Sequence, residues 1–282
     1  MAHIALAHSP LAPGRSPAQI RVRESGAASD RTVVFLHSGW GYEIYPFDRA
    51  ASALAARYRV VAPDRSGYGG SGAIRSLPSD FHQSAAVETV AVLDALALQS
   101  PILWGHSDGA IIALLVALTS PGRAGGLVVE ATHLWKRKPA SRAFFDKAIA
   151  NPDALGDGTV AALERDHGDR WREVIGMHAL AWQRIGDEAA SATDDFYGGR
   201  LPDVSVPVLV VHGARDPRTE PGELEALTAA LCGRSNVRTD VLVLPNGGHS
   251  PHSERQHAET VAAAGAAFCD TMSAMPAQES QR

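Results

Sequence analysis

A serine between two glycines is the residue of this chain best suited to nucleophilic chemistry. Ser107 lies in the pentapeptide Gly-His-Ser-Asp-Gly at 105–109, directly after the apolar run 101–104 and directly before the apolar run 110–118. A strand that turns sharply into a helix at such a pentapeptide forms a nucleophile elbow, in which the turn exposes the serine hydroxyl. The pattern alone is weak, since about 0.2 matches are expected by chance from the glycine and serine content. The surrounding apolar runs strengthen it.

A serine hydroxyl is a poor nucleophile at neutral pH, so it needs a base to accept its proton and an acid to orient that base. Asp216 and His249 each follow a predicted strand later in the chain, which gives the order serine, acid, histidine. One class of serine hydrolases has this order, and the two other common serine orders differ from it. Glu130, which also follows a predicted strand, is the reserve acid. His252 and His257 compete with His249 as the base.

The elements that would position these residues alternate along the chain. Strands are predicted at 19–24, 32–36, 59–63, 101–104, 126–130, 206–211 and 239–244, and helices at 47–57, 84–98, 110–118, 220–231 and 256–271. This alternation predicts an α/β fold with a mostly parallel, doubly wound sheet and helices on both faces.

The alternation is interrupted between about residues 133 and 200. This stretch contains no clean buried strand and is helical, polar and aromatic in pattern. We therefore predict a core formed by residues 1–132 and 201–272, a helical cap inserted at 133–200, and a flexible tail at 273–282.

Five loops are expected to meet at one edge of the sheet. They are 37–41, 64–72, the pentapeptide loop, and the loops that carry Asp216 and His249. Each follows a predicted strand, and in an open parallel sheet ligands bind beyond the carboxyl ends of the strands. This spatial argument is stronger than any single motif.

These segments resemble the α/β-hydrolase superfamily. The resemblance extends from about residue 33 to 268, apart from the cap. It lies in HSGWG at 37–41, DRSGYG at 64–69, GHSDG at 105–109, VHGARD at 211–216 and GGHSP at 247–251. In that family these segments supply, in order, the oxyanion hole, a structural turn, the nucleophile, the acid and the base. The resemblance implies oxyanion donors in the backbone N–H groups of Asp108 and of Gly39 or Trp40. Ser38 departs from the usual glycine, which leaves the choice between Gly39 and Trp40 open.

Chain order and resemblance together predict a serine hydrolase that cleaves a small carboxylic ester, lactone or thioester through an acyl-enzyme on Ser107. His249 would be the base and Asp216 the orienting acid, with no metal and no organic cofactor. Two alternatives stay open: carbon–carbon bond hydrolysis on the same triad, and a receptor that binds a small molecule without turnover. Epoxide hydrolases and haloalkane dehalogenases are disfavoured, because they have an aspartate nucleophile where Ser107 stands.

The substrate pocket is harder to predict. Tyr45, His133, Trp135 and Trp182 are the expected wall residues, and they suggest a medium-sized, fairly apolar pocket. The Asp108 carboxylate has two interpretations. It could recognise a substrate cation or hydroxyl, or it could be a locally paired carboxylate at a helix N-terminus, where the dipole favours negative charge.

Composition excludes several classes of partner. The chain has 282 residues, a net charge of -5 and no basic block, which argues against nucleic acid and anionic membranes as partners. No segment has the roughly 18 apolar residues of a membrane helix, and the first residues lack a signal-peptide pattern. Cys232 and Cys269 lack zinc-site spacing and suit a reducing compartment. We expect a cytoplasmic protein acting on a small molecule. Its oligomeric state is not indicated.

Overall fold

A mixed sheet of eight strands organises the part of the chain that the structure, a computed structural model, describes: residues 1–233 and 237–274. The strands are β1 (Ala2–Leu6), β2 (Ala18–Gly26), β3 (Thr32–Leu36), β4 (Arg59–Pro63), β5 (Ile102–His106), β6 (Gly126–Glu130), β7 (Val208–Gly213) and β8 (Thr239–Leu244). Their order is β1-β2-β4-β3-β5-β6-β7-β8. Strands β3 to β8 run parallel, whereas β1 and β2 pair antiparallel at one edge. The predicted fold class is confirmed.

Helices connect the parallel strands. They are α1 (Asp48–Leu54), α2 (Phe81–Ala95), α3 (Asp108–Thr119), α4 (Pro139–Ala150), α5 (Asp157–His167), α6 (Trp171–Glu188), α7 (Glu223–Leu231) and α8 (Ala258–Ala274). Helices α1 and α8 cover one face of the sheet, and α2, α3 and α7 cover the other.

Strand β3 shows why the central strands read as continuous apolar runs. Successive side chains of a strand point to opposite faces, and both faces of this sheet are covered. Val33 and Phe35 accordingly pack in the cluster formed with α1 and α8, while Val34 and Leu36 pack in the cluster formed with α2 and α3. Every position of β3 is buried, so no polar residue interrupts the pattern.

The order of the strands creates a crevice where the chain reverses direction across the sheet. Strand β3 lies between β4 and β5, so the chain leaves β3 towards one side and returns to β5 on the other. The helices that follow β3 and β5 lie on opposite faces. The loops after these two strands therefore diverge, which in open parallel sheets creates the crevice where ligands bind.

Several element boundaries differ from the sequence-based expectations. Strand β1 was not predicted, because it is a short, mostly exposed edge strand that pairs only with β2. Helix α2 begins three residues earlier than expected, at Phe81, and β7 extends two residues further, to Gly213. Helix α8 continues to Ala274, so residues 273 and 274 of the predicted tail are helical. The rest of that predicted tail, 275–282, lies outside the described residues.

Residues 133–200, here called the helical insert, separate β6 from β7 and contain α4, α5 and α6. The two ends of the insert pair with each other. The Phe196 N–H donates to the Leu134 carbonyl at 3.1 Å, and the Lys136 N–H donates to the Asp194 carbonyl at 2.9 Å. The insert thus leaves and rejoins the core at one place, directly beyond the carboxyl end of β6.

No helix within residues 1–233 and 237–274 is both long enough and apolar enough to cross a membrane. Both cysteines are free: Cys232 is exposed and Cys269 is buried.

Candidate active site

The turn between β5 and α3 holds Ser107 in a strained backbone conformation, with φ 54° and ψ −116°. Such strain is rare for a residue with a side chain and persists only where the surroundings enforce it. The Ser107 N–H donates to the Glu130 carbonyl at 2.9 Å, which fixes the turn to the end of β6. A Cβ at Gly105 would collide with the Gly109 backbone, and a Cβ at Gly109 would collide with the Leu36 carbonyl. Both glycines are therefore required by close backbone approach.

Three distant side chains meet above this turn. His249 Nε2 lies 3.1 Å from Ser107 Oγ, and His249 Nδ1 lies 2.8 Å from Asp216 Oδ2. With Nδ1–H donating to the carboxylate, Nε2 is left to accept the serine proton. Asp216 Oδ1 accepts the backbone N–H of Arg218 at 2.8 Å. Burial disfavours the charged form of Asp216, but His249 and these hydrogen bonds outweigh it and lower the pKa of the carboxyl to about 2.

The reserve acid and the competing bases lie elsewhere. Glu130 Oε1 accepts two hydrogen bonds from His252, from its backbone N–H and from Nδ1, both at 2.8 Å. His252 Nε2 lies 3.0 Å from the Tyr45 carbonyl, so neither ring nitrogen is directed at Ser107. His257 makes no contact with the serine either and is half-buried before α8.

A cluster of possible metal ligands lies behind His249. His106, Glu130 and His252 have ligand atoms within 4.8 Å of one another. His106 Nε2 contacts the His249 carbonyl at 2.8 Å, and His252 uses both nitrogens as described above. Both His252 nitrogens are thus occupied, whereas His106 Nδ1 and Glu130 Oε2 have no hydrogen-bond partner among the described residues. Since His252 has no nitrogen left for an ion, the three residues do not form a complete ligand set.

The loop at 37–41 is held by its carbonyl groups. The Arg65 guanidinium donates to the carbonyls of His37 at 2.6 Å and of Ser38 at 2.8 Å, and His167 Nε2 lies 2.9 Å from the Trp40 carbonyl. No acceptor among the described residues takes the N–H of Gly39 or Trp40. The N–H of the first residue of α3, Asp108, belongs to the helix start, where no intrahelical acceptor exists. Gly39 and Trp40 line the same cavity as Ser107, and Asp108 follows Ser107 directly as the first residue of α3.

The Asp108 carboxylate is buried and locally paired. Its Oδ1 accepts hydrogen bonds from His82 Nε2 at 2.9 Å and from Trp182 Nε1 at 3.1 Å. Its Oδ2 lies 3.6 Å from His178 Nε2. Burial opposes ionisation, but these histidines and Arg65 lower the pKa of the carboxyl. Of the two interpretations of Asp108, the geometry favours local pairing: the carboxylate joins the nucleophile turn to α2 and to the insert helix α6.

Ser107 and His249 face a narrow cavity, here called the Ser107 cavity. Three of the four expected wall residues line it: Tyr45, His133 and Trp182. Trp135 does not. It is half-buried, bridges to Asp195 at the base of the insert and packs against the main hydrophobic cluster, so the expectation for this residue is not supported.

Phe145, one of the aromatic residues of the predicted cap, also lines the cavity. Three further wall residues were not anticipated from the sequence: Ser141, His178 and Arg218. The first two lie on insert helices, whose inward face is set by packing against the core. Arg218 had a usable signal, because it follows Asp216 by two positions in a loop at a strand end.

The histidine beside the predicted base is held neutral. The His133 ring stacks on the His249 ring with 5.6 Å between centroids and an interplanar angle of 10°. Burial, together with Lys138 and His249, lowers the pKa of His133 well below its ordinary value. Burial likewise lowers the pKa of His178 to about 4. The His133 ring beside His249 and the His178 ring in the cavity wall are therefore neutral, so they do not repel a positive charge on His249.

Comparison with known proteins shows the family to which the chain belongs. The model of the alpha/beta hydrolase family matches residues 33–264, and the chain belongs to this family. A pimeloyl-[acyl-carrier protein] methyl ester esterase of Neisseria meningitidis is 27% identical over 264 residues, which are 86% of this chain and 95% of that protein. A Caulobacter protein named as a carbamate hydrolase is 36% identical over 140 residues, so the chain spans 49% of its length, and the match covers 49% of this chain.

A solved esterase from Thermogutta terrifontis has the same fold. Its TM-score is 0.68 at 20% identity, and the match covers 96% of this chain and 99% of that one. Family membership and the esterase relative support a hydrolase, whereas the solved structure shows the fold alone.

Proposed function

We propose that this protein is a serine hydrolase that cleaves a small carboxylic ester, lactone or thioester. The observation that carries the proposal is the continuous contact from Asp216 through His249 to Ser107, at 2.8 and 3.1 Å. A serine in this arrangement can lose its proton as it attacks, which an isolated serine cannot do at neutral pH. The resemblance to an esterase of 27% identity supports the same bond type.

The reaction would proceed in two halves. Ser107 Oγ attacks the ester carbonyl while His249 Nε2 accepts the serine proton. The tetrahedral oxyanion is stabilised by the N–H of Asp108 and by that of Gly39 or Trp40. The carbon–oxygen bond to the alcohol then breaks, and His249 returns the proton to the leaving oxygen. A water, deprotonated by His249, attacks the acyl-enzyme and releases the acid with Ser107 restored.

Asp216 would stay ionised throughout this cycle. The lowered pKa of its carboxyl, about 2, means that it is a carboxylate at neutral pH. It holds Nδ1–H of His249, which selects the useful tautomer, and it stabilises the imidazolium that forms in each half.

We further propose that the helical insert is a cap. Ser141, Phe145, His178 and Trp182 of the insert line the Ser107 cavity from the side opposite the sheet. Excluding water strengthens each polar contact made to the transition state. The insert would therefore supply both the selectivity of the site and part of its electrostatic effect.

The test is hydrolysis of p-nitrophenyl esters of short fatty acids by the wild type and by Ser107→Ala. We expect a loss of roughly 10⁴-fold or more in kcat for Ser107→Ala, with an unchanged melting temperature. Ser191→Ala, which truncates an exposed serine of the insert, is the matched control and should behave as the wild type.

A fluorophosphonate probe tests the same assignment chemically, because it should label Ser107 alone. Labelling of another residue, or ester hydrolysis that survives in Ser107→Ala, would reject the proposed nucleophile. A protein that hydrolyses no ester but binds one tightly would be a receptor.

A further inference from the structure

The guanidinium of Arg218 lies in the wall of the Ser107 cavity. It lies over the ring of Phe144 at 4.2 Å, with the centroids of Phe145 and Trp40 at 5.6 and 6.0 Å. The faces of aromatic rings attract a cation but do not neutralise its charge. The backbone N–H of Arg218 donates to Asp216, so the position of this residue is tied to that of the predicted orienting acid.

The Arg218 guanidinium has no direct hydrogen-bond acceptor in the described part of the chain. Among residues 1–233 and 237–274, no carboxylate, carbonyl or hydroxyl accepts a hydrogen bond from the Arg218 side chain. Asp216 and Asp108 act on it only through space, because Asp216 Oδ2 is hydrogen-bonded to His249 and Asp108 Oδ1 to His82 and Trp182. Burial lowers the pKa of Arg218, an effect that Tyr45 and those two carboxylates reduce but do not cancel. A partly desolvated cation without a direct acceptor is unfavourable for folding, and such groups concentrate at functional sites.

The basic side chains of the adjoining cavity differ in this respect. That cavity shares Ser141, Phe145 and Trp182 with the Ser107 cavity as a common wall. Its basic residues all have acceptors: Lys136 with Asp194, Arg137 with the Ala189 carbonyl, Lys138 with Glu223, and Arg142 with Asp187. Each of the four cations that line the adjoining cavity thus has an acceptor. Arg218, which lines the Ser107 cavity, has none among the described residues.

We propose that Arg218 binds a carboxylate of the substrate, so that the preferred substrates are half-esters or other esters that carry a free carboxylate on a short chain. The inference rests on the proposed function, which identifies the ester as the bond that is cleaved. It adds a negative charge at the other end of the substrate. A guanidinium presents paired N–H donors that match a carboxylate, and the aromatic contacts hold its plane. The substrate carboxylate would supply the direct hydrogen-bond acceptor that the described part of the protein does not give to Arg218.

Matched pairs of esters test this inference. On the acyl side, mono-p-nitrophenyl glutarate is compared with p-nitrophenyl hexanoate. On the alcohol side, 4-acetoxybutanoate is compared with butyl acetate, followed by titration of released acid. We expect the wild type to have the higher kcat/KM for the anionic member of at least one pair. In that pair, Arg218→Gln should reduce the anionic-to-neutral ratio of kcat/KM by roughly 10- to 100-fold.

Two variants separate recognition from packing. Arg218→Lys keeps the charge without the paired donors and should retain part of the preference. Arg215→Gln removes the same charge from an exposed position in the same loop and should leave the ratio unchanged. Because a ground-state contact with the remote carboxylate contributes to binding, the loss in Arg218→Gln should fall mainly on KM. If Arg218 only packs against the aromatic rings, Arg218→Gln will lower both members of each pair equally, and the inference is wrong.

Binding without turnover tests the anion site independently of the reaction. Calorimetry would measure monomethyl glutarate and methyl hexanoate with Ser107→Ala and with Ser107→Ala/Arg218→Gln. We expect the double variant to lose affinity for the half-ester only. Ser107-dependent hydrolysis without any preference for the anionic esters would reject the anion site and leave the proposed function standing. If the wild type hydrolyses no ester but binds the half-ester in an Arg218-dependent way, the proposed function is rejected and the anion site stands.

Discussion

Two acid–histidine pairs lie side by side at the carboxyl edge of the sheet, and they differ in what the second ring nitrogen meets. In both pairs the histidine Nδ1 lies 2.8 Å from a buried carboxylate: His249 with Asp216, and His252 with Glu130. His249 Nε2 faces Ser107 and the cavity, whereas His252 Nε2 contacts the Tyr45 carbonyl. The same chemical unit would therefore serve the proposed reaction in one place, and it holds a loop in the other.

Burial separates the two pairs as clearly as the contacts do. The His252 side chain is 1% exposed and the His249 side chain is 12% exposed, so only His249 is accessible from the cavity. The His252 ring also stacks on Phe47, with centroids 4.4 Å apart, which adds it to the hydrophobic core. We infer that Glu130 and His252 are positioning residues that fix the loop that carries His249.

The largest expected difference between the pairs is in the histidines. His249→Gln should reduce kcat by roughly 10⁴- to 10⁶-fold with little change in melting temperature, because it removes the base and leaves the fold intact. His252→Gln is the matched substitution three residues away. It should lower the melting temperature and leave kcat within about tenfold for the protein that remains folded. Steady-state kinetics and thermal unfolding of both variants test this, and a larger kcat loss for His252→Gln would reverse the assignment of roles.

The second comparison is between the two acids. Asp216→Asn should reduce kcat by roughly 10⁴-fold, because an amide in place of the carboxylate favours the wrong imidazole tautomer. Glu130→Gln should have a much smaller effect on kcat. Its main effect should be on the free energy of unfolding, about 1.5–3 kcal/mol, since a buried hydrogen bond between charged groups is lost. Urea unfolding and ester kinetics of the two variants distinguish these outcomes, and equal kcat losses would contradict the division of labour.

Much of this arrangement can be predicted from residue types and their order. The strand at 32–36 can be predicted because both of its faces are covered, which makes it a continuous apolar run. The role of Ser107 can be predicted because its pentapeptide joins two apolar runs. Asp216 and His249 can be predicted as site residues because each follows a strand, and the carboxyl ends of these parallel strands lie at the same edge of the sheet.

Other features depend on packing that a linear pattern does not contain. Ser141, Phe145 and His178 line the cavity because of how the insert helices rest on the core, which their spacing does not determine. The sequence also presents Glu130 and His252 as rivals of the acid and base. Only the three-dimensional register shows that they form a pair of their own.

The smallest expected effect is in the pH dependence of the free energy of unfolding. It shows whether Glu130 and His252 form a charged pair or a neutral one. Burial alone would lower the pKa of His252, but Glu130 outweighs burial and raises it. A raised native pKa means that the pair contributes its full stability below the unfolded value of about 6.5, and that this contribution is lost as the pH rises through the native pKa.

In Glu130→Gln the acid is absent, so burial should lower the pKa of His252. The contribution of His252 to the free energy of unfolding should then rise with pH instead of falling. The difference in unfolding free energy between wild type and Glu130→Gln should therefore shrink from pH 6 to pH 9, as measured by urea unfolding at constant ionic strength. The neighbouring groups His106 and Glu254 are present in both proteins, so the difference isolates the pair. A difference that is constant over this range would mean that His252 is neutral in the native protein and that the pair acts through an uncharged hydrogen bond.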